Sequence, residues 1–437
     1  MSSKKDIKSI LFATIVLSLL VLHVNKNVEA DVATDLSNKI QSHTSEIDKL
    51  EAEIAQYQTQ LNNTSKDALS LKGSINELDI SKKKLQAEIS VTENKISSTE
   101  LRIQSLNLDI GDKSKTIDVN QLAIARNIAK INELDANPLI VSMLSNDRIA
   151  DVWNEIESLK RIQSDVYNHT KDVIAVRHGL EGDRNEELEA KKELLALKDE
   201  LNGQKKVLDI NIKDKNKLLS ETKNLESNYK KILADKLALK AAFEKELQSY
   251  ESQLKYVLDP SSIPARGSHS LGWPLTNVFI TQMFGKTVDS VRLYTSGTHS
   301  GTDFRASMGT PVLAMASGVV VASGDTDATC RGASFGKWVF IKYDNGLAST
   351  YGHLSLVSAA KGARVSPGQI VAYSGNTGHS TAPHLHVSLY PADAVDVSGK
   401  ESIACKGKIL VQPRAATNAY LNPLDYMPSY TSSMIKS

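Results

Sequence analysis

The sequence predicts an α+β chain in two parts: a long antiparallel α-helical coiled-coil hairpin, then a small, mostly antiparallel β-sheet domain. Three observations carry this expectation. A seven-residue repeat, apolar at every position but Lys82, runs from Ile40 to Ile131. That run stops at Asn137-Pro138 and a second one follows, through Leu194, Leu201 and Leu208. After residue 259 the helical period gives way to alternation, and most of the glycine, proline and tryptophan lies there.

The first thirty residues read as an export signal. Lys4, Lys5 and Lys8 precede an apolar run from Ile10 to Leu22, and VEA at 28–30 offers a small-residue cleavage site. The run is shorter than the roughly 20 residues that span a bilayer comfortably. A cleaved signal peptide is therefore favoured over a retained anchor, and the mature chain is expected outside the cytoplasm. The formal charge of +1 gives no reason to expect a nucleic-acid partner.

Residues 31–258 are expected to form the arm. One heptad row holds Ile40, Ile47, Ile54, Leu61, Ile75, Ile89, Ile96, Ile103 and Ile110; its companion holds Leu50, Leu71, Leu78, Leu85 and Leu106. Only a left-handed supercoil keeps such a seam facing its partner. About 90 residues at ~1.5 Å each predict a rod of roughly 135 Å. Pro138 ends it, because proline lacks an amide donor and disfavours helix in the residue before it. A helical tip insert is placed at about 136–180. A break near the middle of the arm favours an antiparallel hairpin over a parallel dimer. The apolar residues Leu139, Ile140, Met143, Leu144, Val152 and Trp153 at the tip either dock a partner or close a small core of their own.

DPSSIPARGSHS, residues 259–270, reads as a linker. Residues 271–437 then alternate. WVFIKYDNGLASTYGHL is a hairpin around Asn345-Gly346, a favoured tight-turn pair. Cys330 and Cys405 suit a disulfide in an oxidising compartment, worth roughly 4 kcal/mol on the chain-entropy model. Two separate buried thiols are the alternative.

Six of the ten histidines lie after residue 259, in the shorter part of the chain. In TAPHLHVSLY (381–390), strand alternation puts His384, His386, Ser388 and Tyr390 on one polar face and Leu385, Val387 and Leu389 on a buried one. HSGTD supplies His299 and Asp303, and YGHL supplies His353. Two histidines and a carboxylate fit a catalytic zinc site, with three protein ligands and one open position. Gly301 is expected to let the backbone bend so that His299 and Asp303 reach one ion.

HSGTD, YGHL and STAPHLH, in this order, resemble the LytM-type (lysostaphin-like, M23) zinc metallopeptidases over roughly residues 265–395. The resemblance implies one Zn2+ held by His299, Asp303 and His386, with His353 and His384 as the paired catalytic histidines. It implies a peptidoglycan substrate whose wall peptides are cut by metal-activated water. Ala382 stands where the family commonly has glycine, and His379 and His269 are expected to be ordinary exposed residues. With the arm and its NPL-type insert, the whole is similar to EnvC- and PcsB-like division proteins. There the coil restrains the hydrolase domain and the tip engages a membrane division complex, an ABC transporter of the FtsEX type. An EnvC-like activator without catalysis, or a wall-binding tether, are the competing expectations. The presence of all five site residues favours the enzyme.

Overall fold

The structure is a computed structural model and describes residues 35–61, 70–135, 149–254, 256–257, 259–287, 290 and 297–436. The expected signal segment and the tip residues Leu139, Ile140, Met143 and Leu144 lie outside the described residues. The chain divides into two units, residues 1–48 with 92–198, and residues 49–91 with 199–437.

Residues 35–61 form α1, Leu71–Asp135 form α2, Ile149–Thr222 form α3 and Glu226–Gln253 form α4. In the first unit, cross-pairs join Glu100 to Lys198, Lys113 to Asp183 and Asn120 to His169. Partner numbers fall on α3 as they rise on α2, so the helices run antiparallel. Exposed pairs of this kind contribute about 0–1 kcal/mol each. The buried seam of Ile96, Leu106, Leu180, Ala190 and Leu197 carries the association.

Two expectations for the arm are corrected. His43 Nδ1 lies 2.7 Å from Asn94 Oδ1, although the residues are 51 apart in sequence. One continuous helix would hold them about 75 Å apart, so no single rod runs from Ile40 to Ile131. The intervening sequence, NNTSKD at 62–67, is rich in residues whose side chains compete with helical backbone bonds. The second correction is a break the heptads do not show. Lys223 and Asn224 take φ of 50° and 56° between α3 and α4. The Asn228 side chain then donates to the Thr222 carbonyl and closes the helix end. At residue 180 α3 continues without interruption.

In the second unit, Leu85 of α2 and Val207 of α3 are fully buried against Met308 and Tyr373. The Tyr373 hydroxyl donates to the Glu200 carbonyl, and Lys84 Nζ donates to Ser307 Oγ. The arm's base is thereby seated on the β-sheet domain.

That domain contains β1 (Ile280–Gln282), β2 (Thr302–Arg305), β3 (Pro311–Leu313), β4 (Gly318–Asp325), β5 (Lys337–Tyr343), β6 (Leu347–Val357), β7 (Arg364–Val365), β8 (Ile370–Ser374) and β9 (His384–Pro391). The order is β1-β2-β9-β6-β5-β4-β7, with β8 joining β3 to β6, and every pair is antiparallel. β5 and β6 form the expected hairpin over Asn345-Gly346. A second sheet holds β10 (Val395–Ser402) and β11 (Lys408–Ala415). The end of the expected linker contacts the domain: Gly267 N donates to the Asp425 carbonyl and His269 Nδ1 bonds the Met427 carbonyl.

The main core gathers Leu271, Phe304, Val320, Ile341, Tyr351, Leu385, Val387 and Leu389. A second cluster with Trp338, Phe340, Tyr390 and Ala415 covers the other face. β9 is therefore buried on both sides, and its polar residues do not face water as alternation alone implied. Cys330 and Cys405 form a disulfide with Cα atoms 6.2 Å apart.

Candidate metal centre

Three adjacent strands gather the site. β2 and β9 place Asp303 directly opposite His386 and Arg305 opposite His384. His299 precedes β2 and is pinned by paired backbone bonds to Gly285. β6 places Gly352 opposite His386, so His353 follows beside it. The His353 backbone has φ of 60°, with its N–H bonded to the Phe335 carbonyl at 2.7 Å. Left-handed geometry in a non-glycine residue is costly and concentrates at functional sites.

The structure brings His299, Asp303 and His386 together with one donor atom each, all mutually within 4.8 Å. His299 Nε2 is 3.1 Å from His386 Nδ1 and 3.3 Å from Asp303 Oδ1, and the last two are 2.9 Å apart. Zinc bonds of about 2.0–2.1 Å in a tetrahedron imply donor separations of about 3.3 Å. Donor type and spacing both fit that ion. His384 Nε2 is 3.7 Å from Asp303 Oδ1, and the His353 and His384 rings lie 4.6 Å apart.

Each imidazole commits its outer nitrogen elsewhere. A carbonyl only accepts, so His299 Nδ1–H donates to Met283 O at 3.1 Å, leaving Nε2 unprotonated toward the cluster. His353 Nδ1–H donates to Thr377 O and His384 Nδ1–H to Ala382 O, each at 2.9 Å. His386 is turned the other way: Nε2 meets the Ser388 hydroxyl at 2.8 Å, so Nδ1 faces Asp303. Such outer bonds fix tautomer and ring angle before a metal arrives. The sequence offered Ser388 only as a residue two positions along the same strand face. The carbonyl acceptors carry no sequence signal.

Burial acts strongly here, since His299, Asp303, His353 and His386 are all buried. By itself it would raise Asp303. The charges that His299 and His384 carry when protonated, and the hydrogen bonds that protonated His299 and His386 then donate, instead hold that carboxyl well below the usual range. Burial first, then the charges of His384 and His386, push His353 well below 6.5. Burial lowers His386 too, against the pull of Asp303.

Gly301 has a different reason from the one expected. Its φ is not in the left-handed region. A Cβ there would lie 2.6 Å from His386 Nε2 and collide with the Val387 carbonyl. The glycine leaves room for the imidazole.

The five residues line a cavity of about 440 Å³ whose facing wall is α4, through Phe243, Glu244, Leu247, Gln248 and Glu251. Glu251 accepts from the Tyr420 hydroxyl. Burial raises its carboxyl to about 7, against the lowering effects of Tyr420 and Arg414. His379 also lines this cavity, 3.8 Å from Glu244 and largely covered, which corrects the expectation of an ordinary exposed residue. His269 lies away from the cavity and is exposed, as expected, with Nδ1 bonded to Met427 O.

The family described as Peptidase family M23 matches residues 297–397. "DD-carboxypeptidase/endopeptidase Mpg" of Neisseria meningitidis is 39% identical over 129 residues, 29% of this chain and 28% of that protein. "Peptidoglycan DD-endopeptidase ShyA" of Vibrio cholerae is 35% identical over 137 residues, 31% of this chain and 30% of that protein. The catalytic domain of lysostaphin from Staphylococcus simulans is a solved structure with 27% identity and a TM-score of 0.26, covering 35% of this chain and 94% of that one. The match thus spans under a third of the length of these two curated relatives. Residues 297–397, which hold His299, Asp303, His353, His384 and His386, are the part of the chain that matches Peptidase family M23.

Proposed function

We propose that the chain is an exported zinc metalloendopeptidase that cuts peptides of peptidoglycan and is positioned and restrained by its coiled-coil arm. The convergence of His299 Nε2, Asp303 Oδ1 and His386 Nδ1 at zinc-compatible spacing carries this reading. The similar proteins named as peptidoglycan and cell-wall peptidases support the substrate class. The intact cluster weighs against a non-enzymatic activator.

His299, Asp303 and His386 would hold one zinc ion, which supplies Lewis acidity and lets water ionise near neutral pH. The other work belongs to side chains. His353 and His384 donate their Nδ1 protons to carbonyls, so both keep an Nε2 lone pair for proton transfer. One takes the proton of the attacking water on that lone pair and passes it to the leaving amine; the other bonds the developing oxyanion only when protonated at Nε2. Asp303, held ionised, favours cation binding.

α4 forms the wall opposite these groups, so substrate enters when it moves. No helix among the described residues is long and apolar enough to cross a membrane. The arm is assigned to cell division or wall remodelling, with its tip, where Trp153 is 66% exposed, meeting an FtsEX-type transporter.

Two results are expected. Residues 259–437 release soluble peptides from purified peptidoglycan faster than the full chain; a chelator stops release and zinc restores it. Undiminished release from metal-free protein rules the reading out. The second concerns acid. A proton-accepting histidine works only while neutral, and burial lowers His353 below 6.5. The acid limb of kcat/KM for the zinc-loaded protein therefore falls below pH 6.5. A limb at or above that value removes His353 as the proton acceptor.

A further inference from the structure

The middle of α4 is fastened to the tip of the β10–β11 hairpin. Glu246 Oε2 accepts from Ser402 Oγ and from Ala404 N, both at 2.9 Å. The Tyr250 hydroxyl donates to the Glu401 carbonyl at 2.8 Å. Phe243 is buried in a cluster with Ala333, Cys405 and Leu410, and Leu239, Cys330 and Ala404 pack around it. The disulfide is thus part of the socket that receives Phe243.

The tip depends on that bond for its place. β10 and β11 pair with each other and, among the described residues, with no strand of the main sheet. The Cys330–Cys405 bond ties the tip to the segment after β4, beside a hydrogen bond from Lys408 Nζ to the Thr329 carbonyl. Ser402 Oγ, which holds Glu246, also accepts from Cys405 N at 3.1 Å. Bond, turn and helix form one mechanical unit, and α4, the fastened Phe243, Glu246 and Tyr250 included, lines the cavity of the His299, Asp303 and His386 cluster.

We propose that the Cys330–Cys405 disulfide is a redox latch: closed, it keeps α4 over the cluster, and its reduction releases α4 and opens the cavity to substrate. The hydrolytic output rests on the function proposed above; the latch does not. A dithiol donor supplies the two electrons. Its thiolate attacks Sγ of Cys330, the less buried of the pair, and Cys405 leaves as thiolate. The donor's second thiol then displaces Cys330 and closes the donor's own disulfide. Two protons from the donor leave both cysteines as thiols. The hairpin tip is then no longer covalently held, and Phe243 loses the packed sulfur wall beneath it.

The test uses the full, zinc-loaded chain. Amide hydrogen exchange is followed in the oxidised protein, in the same protein after reduction, and in a C330S/C405S variant. Exchange over residues 237–251 is expected to quicken at least tenfold in the last two while β6 and β9 are unchanged, with peptidoglycan hydrolysis rising in parallel. In Phe243→Ala, whose disulfide is intact, exchange is already fast and reduction adds less than twofold. Equal exchange in oxidised and reduced protein overturns the latch. So does a rise shared equally by β6 and β9, or a full tenfold gain on reducing Phe243→Ala. Opening of α4 with no gain in hydrolysis upholds the latch and counts against the hydrolase reading.

Discussion

His386→Ala is expected to lose bound zinc and peptide-bond hydrolysis together, while His353→Ala keeps the metal and loses only rate. His386 Nδ1 lies 2.9 Å from Asp303 Oδ1 and 3.1 Å from His299 Nε2, so its removal takes one of three donors. His353 is outside that donor set but its ring is 5.8 Å from that of His386 and faces the same cavity. Loss of an acid–base group costs roughly 10²–10⁴-fold in rate. Metal content by mass spectrometry, beside initial rates on purified peptidoglycan, separates the two. Zinc retained at full stoichiometry in His386→Ala, or lost in His353→Ala, would reverse the assignments. Ser388→Ala belongs between them: it deletes the hydroxyl that orients His386, so weaker zinc affinity is expected, with the zinc-saturated rate largely kept.

Gly301→Ala is expected to be nearly as damaging, although glycine has no chemistry. The added carbon would stand 2.6 Å from His386 Nε2, and the Val387 carbonyl blocks retreat on the other side. Both obstacles belong to β9, a central strand held on each edge by β2 and β6. Overpacking of this kind costs about 1–3 kcal/mol, and here the displaced group is a proposed metal ligand. Thermal unfolding and zinc titration of Gly301→Ala are the measurements. Gly272→Ala is the control, since its new carbon meets the Met315 carbonyl at 3.4 Å, a gap that small adjustments accommodate. Native zinc affinity in Gly301→Ala would show that β9 yields more easily than its pairing implies.

These two cases also show what was legible in the sequence. His299, Asp303, His353, His384 and His386 were readable because the motifs keep their spacing and order. A strand period of two puts His384 and His386 on one face whatever the rest of the fold does. The importance of Gly301 was readable but its reason was not. Contact with His386, 85 positions along the chain, is set by the register of β2 against β9. His379 was misread for the same reason, because only the packing of α4 decides that it is covered.

The arm teaches the reverse lesson. Heptads report which helix face is apolar, so helices and their antiparallel pairing were foreseeable. They say little about where the chain turns back. The contact between His43 and Asn94, and the left-handed pair Lys223 and Asn224, interrupt a seven-residue pattern whose register does not slip.

By itself the sequence determined the two-part architecture and the β5–β6 hairpin and nominated the five candidate site residues, since all are short-range properties of period, turn chemistry and motif. Only the tertiary structure decided that the polar face of β9 is buried, that Cys330 meets Cys405, and that α4 lies opposite the cluster. Those facts depend on contacts between residues tens of positions apart, where the gain from burying shared surface outweighs the preference of any local stretch.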